Sequence, residues 1–168
     1  RLNISTLELL HIPHGASYKT VINNTVRLVK KYDKLGLKRL WFGEHHNEEF
    51  ILSTSPQTLI PYFANKTQKI RIGSGGVLLP NHNPFVIAEQ FSTLSLLYND
   101  RVDLGIGKSR GIDRSFSNLL DFNSASYNRF EENLKILIDL YNPKKNEFPI
   151  NSFLSKHVEN SNIWLLGT

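Results

Sequence analysis

Apolar residues recur along the chain in two alternating patterns, one typical of amphipathic helices and one typical of buried strands. Over residues 18–35 they fall three or four positions apart with the basic residues off that stripe, which predicts a helix that packs on one side. Gly36 follows at the position where a left-handed helix end is expected. Short apolar runs over residues 2–10 and 39–43 flank this helix and predict the first two strands.

The same alternation continues to the end of the chain. Ser55-Pro56 and Asn83-Pro84 each predict a helix start, for helices over about residues 56–64 and 84–98. Further strands are predicted over residues 69–79, 101–107 and 162–166, and a fourth helix over about 125–141. Strands that alternate with crossover helices predict a parallel sheet. Both a TIM barrel and a doubly wound open sheet have this order, although the first βα turn lacks the GxGxxG of dinucleotide-binding sheets.

Composition adds limits to this α/β interpretation. The 168 residues are 40% hydrophobic and 21% charged without a linker or low-complexity tract, which predicts a single domain over residues 1–168. The net charge of +5 is scattered, with no basic run longer than pairs such as Lys30-Lys31, so nucleic acid is not an expected partner. The chain lacks methionine and ends on an apolar stretch; we therefore expect a segment of a longer protein.

The absence of cysteine excludes disulfides, thiolate metal sites and a cysteine nucleophile, and we expect a cytoplasmic protein. No apolar run reaches the roughly 18 residues that a membrane span needs. A metal site is not predicted either, because the adjacent His45 and His46 would point to opposite faces of an extended chain.

Residues of the types that bind ligands or take part in catalysis cluster immediately after the predicted strands. In both candidate architectures ligands bind beyond the carboxyl ends of the parallel strands. The polar and glycine-rich segments that follow the first four strands span residues 11–15, 44–47, 75–82 and 107–111.

Four segments together resemble the bacterial-luciferase-like monooxygenase superfamily. They are WFGEHHN (41–47), RIGSGGVLLPNHNP (71–84), AEQFSTL (88–94) and RVDLGIG (101–107). No single segment is specific, but their order and spacing are. The resemblance implies a TIM barrel of which about the first four to five βα units are present, since an eight-unit barrel typically needs about 250 residues.

The resemblance also implies an activity. Members of the superfamily use reduced FMN, supplied by a separate flavin reductase, and O₂ to oxidise an organic substrate, so we expect a flavin-dependent monooxygenase that forms a homodimer. A sister branch uses the deazaflavin F420 for hydride transfer, which is the first alternative. The second alternative is a non-catalytic flavin-binding or assembly subunit, as truncated luciferase relatives suggest.

Several site residues follow from the same resemblance. His45 matches the active-site histidine, where an imidazole serves hydrogen bonding or proton transfer. Glu44 is a second catalytic candidate, and orienting its neighbours or closing the barrel mouth is the alternative. The Gly75–Gly76 bond matches a non-prolyl cis peptide behind the flavin ring, where glycine lets backbone approach closely. A kinked strand corner is the alternative for this pair.

The resemblance places the FMN phosphate near basic and small residues. Lys108 stands where relatives usually have arginine, a change that keeps the charge but loses the bidentate fork. Arg110 is a candidate substitute, and solvated loop charges are the alternative for both. Gly167 and Thr168 match small residues whose backbone N–H groups receive the phosphate.

Three further residues have open alternatives or partners. Asn81 and His82 either line the substrate pocket or cap the third helix. Asp103 lies in the predicted fourth strand and needs a partner if buried; Arg101 is the candidate.

Overall fold

The computed structural model describes residues 3–109, 111, 129–141 and 163–166. Within these residues the strands and helices alternate as the sequence predicts. The order is β1 (Ser5–Glu8), α1 (Tyr18–Leu35), β2 (Arg39–Phe42), α2 (Pro56–Ala64), β3 (Arg71–Ser74), β4 (Val77–Leu78), a 3₁₀ turn (Leu79–Asn81), α3 (Pro84–Leu97), β5 (Val102–Gly107), α4 (Phe130–Leu140) and β6 (Ile163–Leu165).

The sheet is parallel, and its strands follow one another in chain order. β1 pairs with β2, β2 with β3, both β3 and β4 with β5, and β5 with β6. A doubly wound sheet reverses direction after its first strands, whereas a TIM barrel adds each new strand beside the last. The order therefore selects the barrel and gives its first five strands.

β3 and β4 are two halves of one strand beside β5. Ile72 lies opposite Val102 and Val77 opposite Ile106, so the β3–β4 strand has one more residue than β5 between these pairs. An extra residue of this kind is a bulge, which bends the strand and re-aims its backbone. The bulge includes Gly75 and Gly76, next to the carboxyl end of the sheet.

The helix ends follow the sequence signals. Ser17 precedes α1, and its Oγ accepts from the Thr20 N–H at 3.1 Å, while Gly36 ends this helix with a φ of 75°. Asn83 precedes α3, and its Oδ1 accepts from the N–H groups of Phe85 and Val86. These caps satisfy backbone groups that a helix leaves unpaired and so set where each crossover begins.

The two faces of the sheet differ. The outer face packs against the helices and forms a mainly apolar core that includes Leu40, Phe42, Ile72, Leu104 and Ile106. We call the other the inner face, defined by Leu7, Trp41, Gly73, Asp103 and Trp164. There the rings of Trp41 and Trp164 meet edge to face at 5.6 Å, and a cavity of about 320 Å³ remains.

Asp103 lies on the inner face with two guanidinium partners, neither of which is Arg101. Arg71 donates to it through Nε at 2.9 Å and Nη2 at 2.6 Å, and Arg39 donates through Nε at 3.0 Å. The predicted Arg101 partner is therefore wrong. Arg101 precedes the strand, and its guanidinium donates instead to carbonyl oxygens that include Ile70 O at 2.8 Å.

None of the helices in the described part of the chain is long and apolar enough to cross a membrane.

Candidate functional site

A cleft of about 170 Å³ lies at the carboxyl ends of β2, β4 and β5. It is smaller than the inner-face cavity, but its place is the one where parallel α/β sheets bind ligands, and we take it as the candidate site. Most of the residues expected at the site that the structure describes meet here. The cleft is lined by Glu44, His45, Gly75, Gly76, Leu78, Gly107, Lys108, Ser109, Gly111 and Leu166.

The Gly75–Gly76 bond is cis, as the family resemblance implies. A Cβ on Gly75 would lie 2.7 Å from Cβ of Trp41, and one on Gly76 would lie 2.8 Å from the Gly105 carbonyl oxygen. Both positions therefore need glycine for the protein's own packing. The same lack of side chains leaves bare backbone on this wall of the cleft, which suits a flat ring system such as a flavin.

Glu44 follows β2, and its side chain is buried, with the residue only 3% exposed. Its carboxylate accepts from the Leu78 N–H at 2.8 Å, from His46 Nε2 at 2.8 Å, and from His82 Nε2 at 2.8 and 3.0 Å. Asn81 Nδ2 lies at 3.4 Å. Burial is the largest single influence and raises the pKa of Glu44, but the hydrogen bonds and the charge of His82 outweigh it. The pKa is therefore lower than usual, and the carboxylate is ionised at neutral pH.

His45 lies on the cleft side of the same segment. Its backbone N–H donates to the Ser53 carbonyl oxygen at 3.0 Å, and Ser53 Oγ donates to the Gly43 carbonyl oxygen at 2.6 Å. These bonds fix the backbone on both sides of Glu44. The half-buried His45 lines the cleft, and no hydrogen bond joins its ring to another of the described residues.

Lys108 extends from the end of β5 into the cleft wall. Its Nζ lies 5.5 Å from the centre of the Phe130 ring, a cation–π contact that leads the amine towards the start of α4. The structure therefore brings one cation expected at the phosphate to the same cleft as His45. Arg110, Gly167 and Thr168, the other residues expected at the phosphate, lie outside the described residues.

Asn83 rather than Asn81 or His82 caps α3, so the capping alternative is wrong. Neither residue is among those that line this cleft, and their place in a substrate pocket stays a prediction. Both side chains turn to Glu44 instead. The reason is the short 3₁₀ turn after β4, which folds this segment back towards the end of β2.

Leu78 and Gly111 lie in segments that the sequence predicts near the site, but the sequence predicts no individual role for them. Leu78 contacts the cleft because the bulge re-aims β4, and Gly111 packs so closely on Leu78 Cδ1 that any side chain there would collide. The hydrophobic pattern does not show a one-residue change of register. In the sequence, only the paired glycines indicate the bulge. Among the residues that the structure describes, no group of three or more His, Asp or Glu side chains is placed to hold a metal ion.

Comparison with known proteins identifies one family. Residues 3–158 match the family model described as luciferase-like monooxygenase. A luciferase-like monooxygenase of Escherichia coli K12 is 38% identical over 168 residues, which cover 98% of this chain and 49% of the relative. Among solved structures, apo-MsnO8 superposes with a TM-score of 0.84 at 33% identity, over 99% of this chain and 50% of that one.

A more distant structure shares the fold. It is the oxygenating constituent of 3,6-diketocamphane monooxygenase of Pseudomonas putida, a type II Baeyer–Villiger enzyme in complex with FMN. Its TM-score is 0.72 at 19% identity, over 85% of this chain and 41% of that one. The chain thus spans about half the length of the relatives that it matches.

Proposed function

Because the chain belongs to the luciferase-like monooxygenase family, we propose that its cleft binds reduced FMN and supports oxygenation of an organic substrate. The observation that carries this proposal is the meeting of Gly75–Gly76, His45 and Lys108 around one cleft at the carboxyl edge of the sheet. Relatives are about twice as long, so the activity is proposed for the protein that contains this chain.

The residues of the cleft fit three parts of a flavin nucleotide. The bare Gly75–Gly76 backbone would lie against the ring, and Lys108 would receive the phosphate as a point charge. The His45 ring, without a hydrogen bond to another described residue, would hold or move a proton at the reacting edge. A bound reduced flavin would supply the electrons for O₂ chemistry, while the protein positions it and excludes water.

We also propose the two partners that the family resemblance implies. A separate flavin reductase would deliver the reduced FMN, and a second copy would form a homodimer. α3 carries apolar side chains on its outer side as well as its core side, with Phe85, Val86, Leu96 and Leu97 exposed. Light scattering that showed a monomer at all concentrations would contradict the dimer.

The proposed function is tested by an anaerobic titration with reduced FMN, followed by O₂ and candidate substrates. Saturable binding and oxygen-dependent product formation are expected. A parallel titration with reduced F420 tests the hydride-transfer alternative, which tighter binding of F420 would support. Binding of FMN without turnover would support the non-catalytic subunit, and binding of neither cofactor would overturn the proposal.

The phosphate role of Lys108 has a sharper test. Lys108→Ala is expected to weaken FMN binding about tenfold and to leave riboflavin binding unchanged, because riboflavin lacks the phosphate. Lys135→Ala, on the exposed side of α4, is the matched control. An equal loss for both flavins would mean that Lys108 supports the cleft rather than the phosphate.

A further inference from the structure

The Glu44 carboxylate joins segments that follow two different strands. His46 belongs to the segment after β2, while Leu78 and His82 belong to β4 and the turn after it. The backbone adds a third segment, because the His46 N–H donates to the Gly111 carbonyl oxygen at 2.6 Å after β5. We call Glu44, His46, Leu78 and His82 the carboxylate clamp.

The clamp fixes the protonation of two imidazole nitrogens. An ionised carboxylate only accepts hydrogen bonds, so the Nε2 atoms of His46 and His82 must both carry a hydrogen. Each ring is then either the Nε2–H tautomer or the imidazolium, and the Nδ1–H tautomer is excluded. This requirement follows from the two contacts of 2.8 Å to Glu44 Oε1.

Glu44 and Leu78 of the clamp line the cleft, whereas His46 and His82 are not among its lining residues. Leu78, whose N–H donates to Glu44, comes two residues after Gly76. Gly111, which His46 holds through its backbone, packs on Leu78 and follows the Lys108 segment. We therefore expect a change in the clamp to affect both the Gly75–Gly76 side and the Lys108 side of the cleft.

We propose that Glu44 is a positioning residue, an ionised acceptor that locks His46 and His82 as Nε2–H donors and so holds the cleft segments in place. The part of this role that concerns flavin rests on the proposed function. A proton-donating role does not fit, because the carboxylate already accepts from Leu78, His46 and His82. The lowered pKa points the same way.

The first test needs no flavin. Nitrogen-15 NMR of histidine-labelled protein reports which ring nitrogens are protonated, with signals assigned through His46→Gln and His82→Gln. We expect Nε2 to be protonated in both rings of the wild type, and Glu44→Gln to remove this constraint from at least one ring. An Nδ1–H tautomer at either ring in the wild type would overturn the clamp.

The second test measures binding of reduced FMN and of riboflavin. Glu44→Gln is expected to weaken both by about tenfold or more, because a buried charged acceptor is lost, while Glu44→Asp recovers part of the loss. Glu49→Gln, an exposed acid in the same segment, is the control and should bind like the wild type. Wild-type affinity in Glu44→Gln would overturn the positioning role.

The two tests separate the two proposals. If the wild type binds no flavin, the proposed function fails, and the tautomer measurement alone decides the clamp. If Glu44→Gln does not fold, the wild-type tautomers and the Glu44→Asp variant still decide it, since Asp keeps the charge and shortens the reach. Normal flavin affinity in a folded Glu44→Asp that had lost the clamp tautomers would contradict the role.

Discussion

Two buried carboxylates lie at opposite ends of the strands of the same parallel sheet, and their hydrogen-bond partners differ. Asp103, near the start of β5, contacts two arginines on the inner face. Glu44, just after the end of β2, contacts two histidines and a backbone N–H at the cleft. Both side chains are 1% exposed, so burial does not distinguish them. The chemistry of their partners does.

The difference between the partners predicts a difference in role. Guanidinium groups stay charged at all ordinary pH values and form fixed forks, and the hydrogen bond from Arg71 to Asp103 raises the pKa of Arg71 further. A neutral histidine exists in two tautomers, which differ in the ring nitrogen that carries the hydrogen. The Asp103 cluster is therefore a permanent element of the inner face, whereas the carboxylate clamp depends on which ring nitrogen of His46 and His82 carries the hydrogen.

Asp103→Asn tests whether the Asp103 cluster is a structural element, and it should give the largest loss of stability. The change leaves two guanidinium groups without their shared anion, which we expect to lower the free energy of unfolding by about 3 kcal/mol. Flavin binding by the folded fraction should change little. Urea denaturation measures the effect, with Asp139→Asn on α4 as the control. A loss below about 1 kcal/mol would show that water replaces the carboxylate at no great cost.

Glu44→Gln should give the second largest loss of stability, about 2 kcal/mol at neutral pH, and this loss should depend on pH. The pKa of Glu44 is lower in the folded state, so its contribution is present above the usual value of 4.5 and is lost as the pH falls through the lowered pKa. The difference between wild type and variant should therefore shrink in acid. Urea denaturation at several pH values measures it, and a constant difference would contradict the lowered pKa.

The sequence predicted the framework well because the framework depends on local signals. The bounds of α1 and the start of α3 agree with the apolar period and the caps at Gly36 and Asn83. The family resemblance identified His45, Glu44 and Lys108, which the structure brings to one cleft. Their catalytic and binding roles remain predictions.

The sequence did not predict the partners of the buried charges. Arg101 is near Asp103 in sequence, but Arg39 and Arg71 are its partners because neighbouring parallel strands bring them onto the inner face. Likewise His82 reaches Glu44 only through the turn after β4. Contacts between strands depend on register, and a bulge shifts register by one residue without changing the hydrophobic pattern.

Replacing Arg39 or Arg71 with lysine should cause the smallest losses of stability, and the two losses should differ. Arg71→Lys should cost about 1 kcal/mol, since lysine keeps the charge but loses the two-point contact with Asp103. Arg39→Lys should cost less at the carboxylate, where Arg39 makes one hydrogen bond, although it also weakens the contact of 4.6 Å with the Trp164 ring. Urea denaturation of both variants, alone and with Asp103→Asn, measures each coupling. If Arg39→Lys proved the more costly, the aromatic contact rather than the carboxylate would dominate the inner face.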